Sequence, residues 1–243
     1  MNLDPLWLLV LVLTLAGLAL AAYSLRALDG PGAVAAFTLG LIVAAAGGLD
    51  WLATFTTFTL LGFVATRIGR QTKKERRVEE ARGGERGVSN VIANGAAAAL
   101  AAIAALMVDP AAAALAFTTA VAAVTADTLA SEVGVLSKAP RRILPPFQRL
   151  PPGANGGVSW LGQAAAATGA IIIAAVAVAL MGLPWQHAWV PVLFGFAGCQ
   201  VDSVLGATLE RDDVRDGVLS KGDVNFIASF VVALIVLVAA LLV

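Results

Sequence analysis

The chain has 243 residues but only one cysteine, one histidine and one tyrosine. The single cysteine, Cys199, rules out a disulfide framework and a cysteine-based metal site. The single histidine, His187, lies between Trp185 and Trp189, which is membrane-interface composition, and no catalytic role is read into it. Charged residues are only 13% of the chain, and Lys+Arg equal Asp+Glu at 16 each. With no basic excess, nothing points to nucleic acid as a partner, and the placement of the charges carries more information than their sum. The N-terminus lacks the basic segment of a secretory signal, and its apolar run is too long for one, so it is read as a span.

Apolar sequence is abundant: 59% of residues are hydrophobic, and the mean hydropathy is +0.87. The apolar residues gather in runs of roughly 17–25, the length that crosses a hydrocarbon core. Only helices or closed barrels satisfy the backbone there, and the runs lack the alternation of barrel strands. The fold class is therefore all-α: one polytopic transmembrane helix bundle over residues 1–243, with spans expected at 5–25, 32–48, 51–68, 91–108, 111–130, 159–182, 188–207 and 225–243. With eight spans, all 16 Lys and Arg residues fall in the first, third, fifth and seventh loops or at their rims. By the positive-inside rule that face is cytoplasmic and both termini are outside. The large polar segments, 69–90, 131–158 and 208–224, share this face, so a polar site is expected at the cytoplasmic end of a multi-pass cell-membrane protein. The bilayer is the first partner implied, and a homo-oligomer is left open.

Polar residues at membrane depth are costly and are functional candidates by default. Asp127, Ser131 and Glu132 close the fifth span at spacings of four and five. Two carboxylates and a hydroxyl there suit Mg²⁺, which takes oxygen ligands and keeps substrate phosphates in its shell; a rim carboxylate paired with an arginine is the plainer reading. Asp202, followed by Ser203, lies inside the seventh span with no Lys or Arg within a turn. Its burial demands a partner from another span or a metal, and a cation shared with Asp127 is expected. The turn Pro151-Pro152-Gly153-Ala154-Asn155-Gly156-Gly157-Val158-Ser159 leads into the sixth span. It offers backbone N–H groups to an anion, while Ser159 serves equally as a helix cap. Asn90 and Asn94 share a face of the fourth span, suited to an interhelical hydrogen bond or to substrate. Asp223 and Asn225 open the last span, Asp223 as a cap. The run Lys73, Lys74, Arg76 and Arg77 is read most simply as a patch facing anionic lipid, with the binding of nucleotide phosphates as the alternative.

Three of these segments resemble one known family. Asp127-Thr128-Leu129-Ala130-Ser131-Glu132-Val133-Gly134, the Pro151–Ser159 turn and Asp202-Ser203-Val204-Leu205-Gly206-Ala207-Thr208 occur in this order in the membrane family of plant phytyl-phosphate kinase and animal transmembrane protein nineteen, distantly similar to dolichol and phytol kinases. The resemblance covers roughly residues 32–243. One departure is Ala154, where the family pattern has threonine, so no side-chain role is assigned there.

The resemblance implies phosphoryl transfer from a nucleoside triphosphate, CTP by the family's example, to an isoprenyl monophosphate. In that scheme Asp127, Glu132 and Asp202 hold Mg²⁺, and Lys138, Arg141 and Arg86 neutralise the acceptor phosphate and the developing charge. Ser131, Asn155, Gly156, Gly157, Ser159, Asn90, Asn94, Ser203 and Asn225 are then expected to contact substrate or nucleotide. A phosphate monoester is already nucleophilic, so no cytoplasmic histidine is needed. A CTP-dependent cytidylyltransferase acting on a lipid phosphate would use the same groups, and an ion-coupled transporter would place its carboxylates at the midplane.

Overall fold

A computed structural model describes residues 5–78, 85–211 and 217–242; Arg82 and Arg215, both counted in the charge asymmetry, lie outside them. All eight expected spans are helices: α1 Pro5–Ser24, α2 Gly30–Gly47, α3 Leu49–Arg67, α5 Val88–Ala104, α6 Pro110–Gly134, α7 Trp160–Leu180, α8 Trp189–Thr208 and α9 Lys221–Leu241, with a short α4, Arg70–Glu75, after α3. Six are long and apolar enough to cross a membrane; Val88–Ala104 and the Leu8–Ser24 part of α1 are shorter apolar helices.

The helix ends follow local chemistry. Asp29 and Asp109 cap α2 and α6, each ahead of a proline in the first turn. Gly48, at φ +92°, separates α2 from α3. A Ser220–Asp223 capping box opens α9, the role expected of Asp223. Three boundaries differ by four residues from the sequence reading, one being the start of α9, at Lys221 rather than 225. The fourth span ends at Ala104 rather than 108, and the fifth continues to Gly134 rather than stopping at 130. Ser131 and Glu132 are thus helical. The 131–158 segment also holds a two-stranded antiparallel ribbon, β1 Arg141–Arg142 with β2 Gly157–Val158.

Helix α6 is the hub. It packs against α3, α5, α7, α8 and α9, and 89% of its apolar window is buried, against 33–39% in the other long helices. Small residues permit the close approach that substitutes for hydrophobic drive in lipid. A Cβ on Gly195 would come within 2.6 Å of Ala122, and one on Gly198 within 2.7 Å of Ala123. The Trp51 and Phe117 rings fill the α3–α6 gap, centroids 4.5 Å apart. Leu60, Val64, Ile171, Leu234 and Ile235 face outward, as lipid-contacting side chains do.

The charged end of α6 is fastened to α3 and α4. Lys73 is 1% exposed. Its Nζ lies 2.6 Å from Glu132 Oε2 and also donates to the Ala65 and Thr66 carbonyls. The Thr66 hydroxyl donates to Glu132 Oε1 at 2.7 Å, and Arg86 Nη2 stands 3.7 Å from the same oxygen. Arg76 donates to the carbonyls of Val135, Leu136 and Ser137 just beyond the helix. Cations at a helix C-terminus also complement its dipole. This corrects the reading of Lys73–Arg77 as a lipid-facing patch: Lys73 and Arg76 are structural, because a buried carboxylate and a helix end require them.

Removing one partner of a buried ion pair costs about 3–5 kcal/mol. Glu132→Gln is expected to lower stability by about that amount, and the added Lys73→Met to restore part of it, measured by thermal unfolding in detergent. Additive losses would show that the two side chains do not act as a pair.

Candidate functional site

At the charged end, a cleft of about 640 Å³ opens between α6, α7, α8, the start of α9 and the glycine-rich turn. Asp127, Ser131, Glu132, Asn155, Gly156, Gly157, Ser159, Asp202, Ser203 and Asn225 all line it, ten residues singled out from sequence. Asp127 and Ser131 are four apart and share one face of α6.

Asp127 and Asp202 meet across the α6–α8 seam in a side-chain hydrogen bond. Two carboxylates at that distance share a proton or a cation, since like charges so close repel. This pairing is the one expected from the absence of a basic residue near Asp202. The Asn225 amide, oriented for its acceptors, donates to Asp202 Oδ2 at 3.1 Å and to the Lys221 carbonyl at 3.0 Å. In the other orientation it donates to Asn94 Oδ1 at 3.3 Å. Asn94 is an interhelical hydrogen-bond partner of Asn225 in that second orientation alone, with its own nitrogen donating to the Asn90 carbonyl.

Glu132 does not join the two aspartates. Five residues along a helix is a rotation of about 140°, so Glu132 turns from the Asp127 face toward Lys73, Thr66 and Arg86. Among the described residues, no three His, Cys, Asp or Glu side chains converge as a metal site. The expected Asp127–Glu132–Asp202 triad is thus corrected to an aspartate pair. Glu132 still borders the cleft, and a fourth carboxylate there is Glu210, which is buried and interacts electrostatically with Asp202.

The cations differ as well. Lys138 and Arg141 are exposed and do not line the cleft. Arg141 pairs with Val158 through its backbone, and its guanidinium donates to the Phe147 carbonyl at 3.5 Å. Arg86 and Asn90 lie on the far side of Glu132, in another groove. Arg77 and Lys221 line the cleft instead. Gln163 and Gln200, bonded at 2.9 Å, join α7 to α8, and Gln163 also reaches the cleft. Sequence reading gave Arg77 a lipid-facing role, with nucleotide phosphate as the alternative, and assigned no role to Lys221, Gln163 or Gln200. Only Lys221, one helical turn before Asn225, had a local signal.

The glycine turn is built by its contacts with α8. Gly156 has φ +71°, and a Cβ there would collide with Ala207. Arg142 donates to the Ala207 carbonyl at 3.4 Å. The Gly157 N–H is donated to the Ala154 carbonyl at 3.0 Å, which removes it from the expected three-residue anion cradle. Ser159 caps α7, accepting from Gly162 N at 3.1 Å and donating to the Gly134 carbonyl at 3.4 Å. Its hydroxyl thereby ties the α7 start to the α6 end, where Gly134 and Gly162 touch.

The family model for the integral membrane protein DUF92 matches residues 13–233, and the chain belongs to that family. An uncharacterized membrane protein of Methanocaldococcus jannaschii is 31% identical over 224 residues, spanning 92% of this chain and 90% of its own length. A second, from Synechocystis, is 31% identical over 209 residues, 84% of this chain and 81% of its own. Protein PGR of Arabidopsis thaliana is 29% identical over 233 residues, 84% of this chain and 80% of its own. No solved structure matches.

Gly156→Ala is expected to lift the turn from α8. Amide hydrogen exchange should accelerate across 151–158 while α6 stays protected; unchanged exchange in the turn would contradict the packing described.

Proposed function

We propose that this DUF92-family membrane protein transfers a phosphoryl group from a nucleoside triphosphate, CTP on the family resemblance, to an isoprenyl monophosphate, with the cleft facing the cytoplasm. The observation that carries the reading is the Asp127–Asp202 pair inside a cleft bordered by the glycine turn. A cleft at the charged end suits water-soluble nucleotide. It also suits a lipid phosphate: Asp127 lies seven residues from the end of α6, roughly 10 Å along the axis.

The donor set fits Mg²⁺. Two carboxylates from opposed helices, with hydroxyl and amide oxygens around them, are hard ligands, and Mg²⁺ is commonly held by one or two carboxylates plus substrate phosphates. Asp127 and Asp202 would hold it, and it would supply charge neutralisation and a template for the phosphate oxygens. The protein's own groups do the rest. Asn225 fixes the Asp202 carboxylate. Lys221 and Arg77 offset the negative charge of two phosphate-bearing substrates. Ser131, Ser203 and Asn155 offer hydrogen bonds that hold the reacting groups in line.

In the reaction, an oxygen of the acceptor phosphate forms the new P–O bond to the γ-phosphorus. The bond from the γ-phosphorus to the β,γ-bridging oxygen breaks, and its electron pair leaves with the nucleoside diphosphate. A cytidylyltransferase would instead attack the α-phosphorus and release pyrophosphate.

The test incubates purified protein with Mg²⁺, labelled CTP and a panel of isoprenyl monophosphates. CDP and the isoprenyl diphosphate are expected. Asp127→Asn and Asp202→Asn should abolish turnover, and Asn225→Ala should cost roughly ten- to a hundredfold as the loss of a ligand-orienting group. Lys221→Gln should cost more than Lys138→Gln. Pyrophosphate as product would convert the assignment to nucleotidyl transfer, and full activity in both aspartate variants would end it.

A further inference from the structure

On the α5 side of the aspartate pair, α5, α6, α8 and α9 close on a second, much smaller cavity of about 10 Å³. That is the space of one water-sized occupant. Its polar lining is Asn94, Asp127, Asp202, Asn225 and Ser229, and among the described residues no Lys or Arg lines it. Asn94 is 4%, Asn225 9% and Ser229 1% exposed. Polar groups buried this deeply between membrane spans mark functional sites by default.

The hydrogen bonds around this cavity cannot all be made. Asn225 and Asn94 stand in a row between Asp202 at one end and the Asn90 carbonyl at the other. Both ends are acceptors, and each amide presents one oxygen and one nitrogen, so one oxygen in the row must face another. With the Asn225 nitrogen on Asp202 and the Lys221 carbonyl, its oxygen faces Asn94 Oδ1 at 3.3 Å. With that amide reversed, its oxygen faces Asp202 Oδ2 at 3.1 Å and the Lys221 carbonyl at 3.0 Å. A proton on Asp202 would relieve only the first of those two contacts. Turning Asn94 as well would set its oxygen 2.8 Å from the Asn90 carbonyl. The Ser229 hydroxyl gives its proton to the Asn225 carbonyl at 2.9 Å, so it too offers the cavity only lone pairs.

An unmatched buried acceptor is costly. A water has two protons to give, fewer than the acceptors gathered here, and it offsets none of the charge of the carboxylates. A cation answers both needs. Oxygens 3.3 Å apart form the edge of an octahedron with metal–oxygen distances of about 2.3 Å, longer than the roughly 2.0–2.1 Å that Mg²⁺ demands. We propose that this cavity is a Na⁺ site, held by the side-chain oxygens of Asn94, Asn225 and Ser229 and by the Asp127 and Asp202 carboxylates from their α5 side. Neutral amide and hydroxyl oxygens supply most of the shell, which suits a monovalent ion of this size. The site is separate from the cleft and does not rest on the transfer reading.

The test measures binding of radiolabelled Na⁺ to the purified full chain in detergent. Choline chloride holds the ionic strength constant, and divalent ions and nucleotide are left out. One Na⁺ should bind per chain, with K⁺ competing at least tenfold more weakly and Ca²⁺ failing to displace it at equal concentration. Ser229→Ala should weaken binding by about tenfold, the equivalent of one neutral polar contact, and Asn94→Leu should abolish it. Ser203→Ala, on the cleft side of the pair, should bind Na⁺ as wild type does. Helical circular dichroism checks the fold of each variant, and the wild-type selectivity decides the matter if Asn94→Leu does not fold. No saturable Na⁺ binding by the wild type would leave a water in the cavity and overturn the proposal. Equal competition by K⁺, displacement by Ca²⁺, or binding lost in Ser203→Ala but kept in Ser229→Ala would overturn it as well.

Discussion

The 2.6 Å contact between Lys73 and Glu132 is the interaction on which the polar end of the protein depends. Both side chains are buried in what is otherwise an apolar bundle. An isolated charge in such a place is untenable, and a pair is tolerable only when its remaining lone pairs and protons are satisfied. Thr66, two backbone carbonyls and Arg86 complete that set. The result is that α6 cannot rotate or slide at its charged end without exposing an uncompensated charge. With α6 fixed there, Asp127 is held on the opposite side, toward α8.

One helix therefore presents two carboxylates to two different environments. Glu132 is neutralised by cations of α4 and the 85–87 segment and acts as an anchor. Asp127 is matched with another carboxylate, an arrangement that raises the electrostatic cost and is left for a cation or proton to resolve. Such a site is expected to be functional rather than stabilising. The glycine turn, the ribbon it belongs to and the α9 start all dock around this pair, through Gly156 on Ala207, Arg142 on the Ala207 carbonyl and Asn225 on Asp202.

The bundle was legible in the sequence because apolar run length is set by the bilayer, whatever the details of packing. The Asp127–Asp202 pairing was legible for a related reason: Asp202 has no basic neighbour along its own helix, so its partner had to be tertiary. What the sequence hid was rotation and long-range contact. Spacings of four and five look similar on paper, yet they leave Ser131 on the Asp127 face and turn the Glu132 carboxylate to Lys73, Thr66 and Arg86. Lys73 sits in a run of cations whose composition suggests the membrane surface, and its partner is 59 residues away. Glu210 and Lys221 enter the cleft because the chain folds back on itself, with Arg211 N donating to the Leu219 carbonyl and Leu219 N to the Leu209 carbonyl across the α8–α9 connection. No local periodicity announces that return.

The central claim is that Asp127 and Asp202 together hold a divalent cation beside a nucleotide. The most direct measurement is electron paramagnetic resonance of Mn²⁺, as a stand-in for Mg²⁺, titrated into purified protein with and without CTP. The account predicts one saturable site, strengthened by CTP, that disappears in the Asp127→Asn/Asp202→Asn double variant while the helical circular dichroism is retained. Equal Mn²⁺ and nucleotide binding in the wild type and that variant would contradict it.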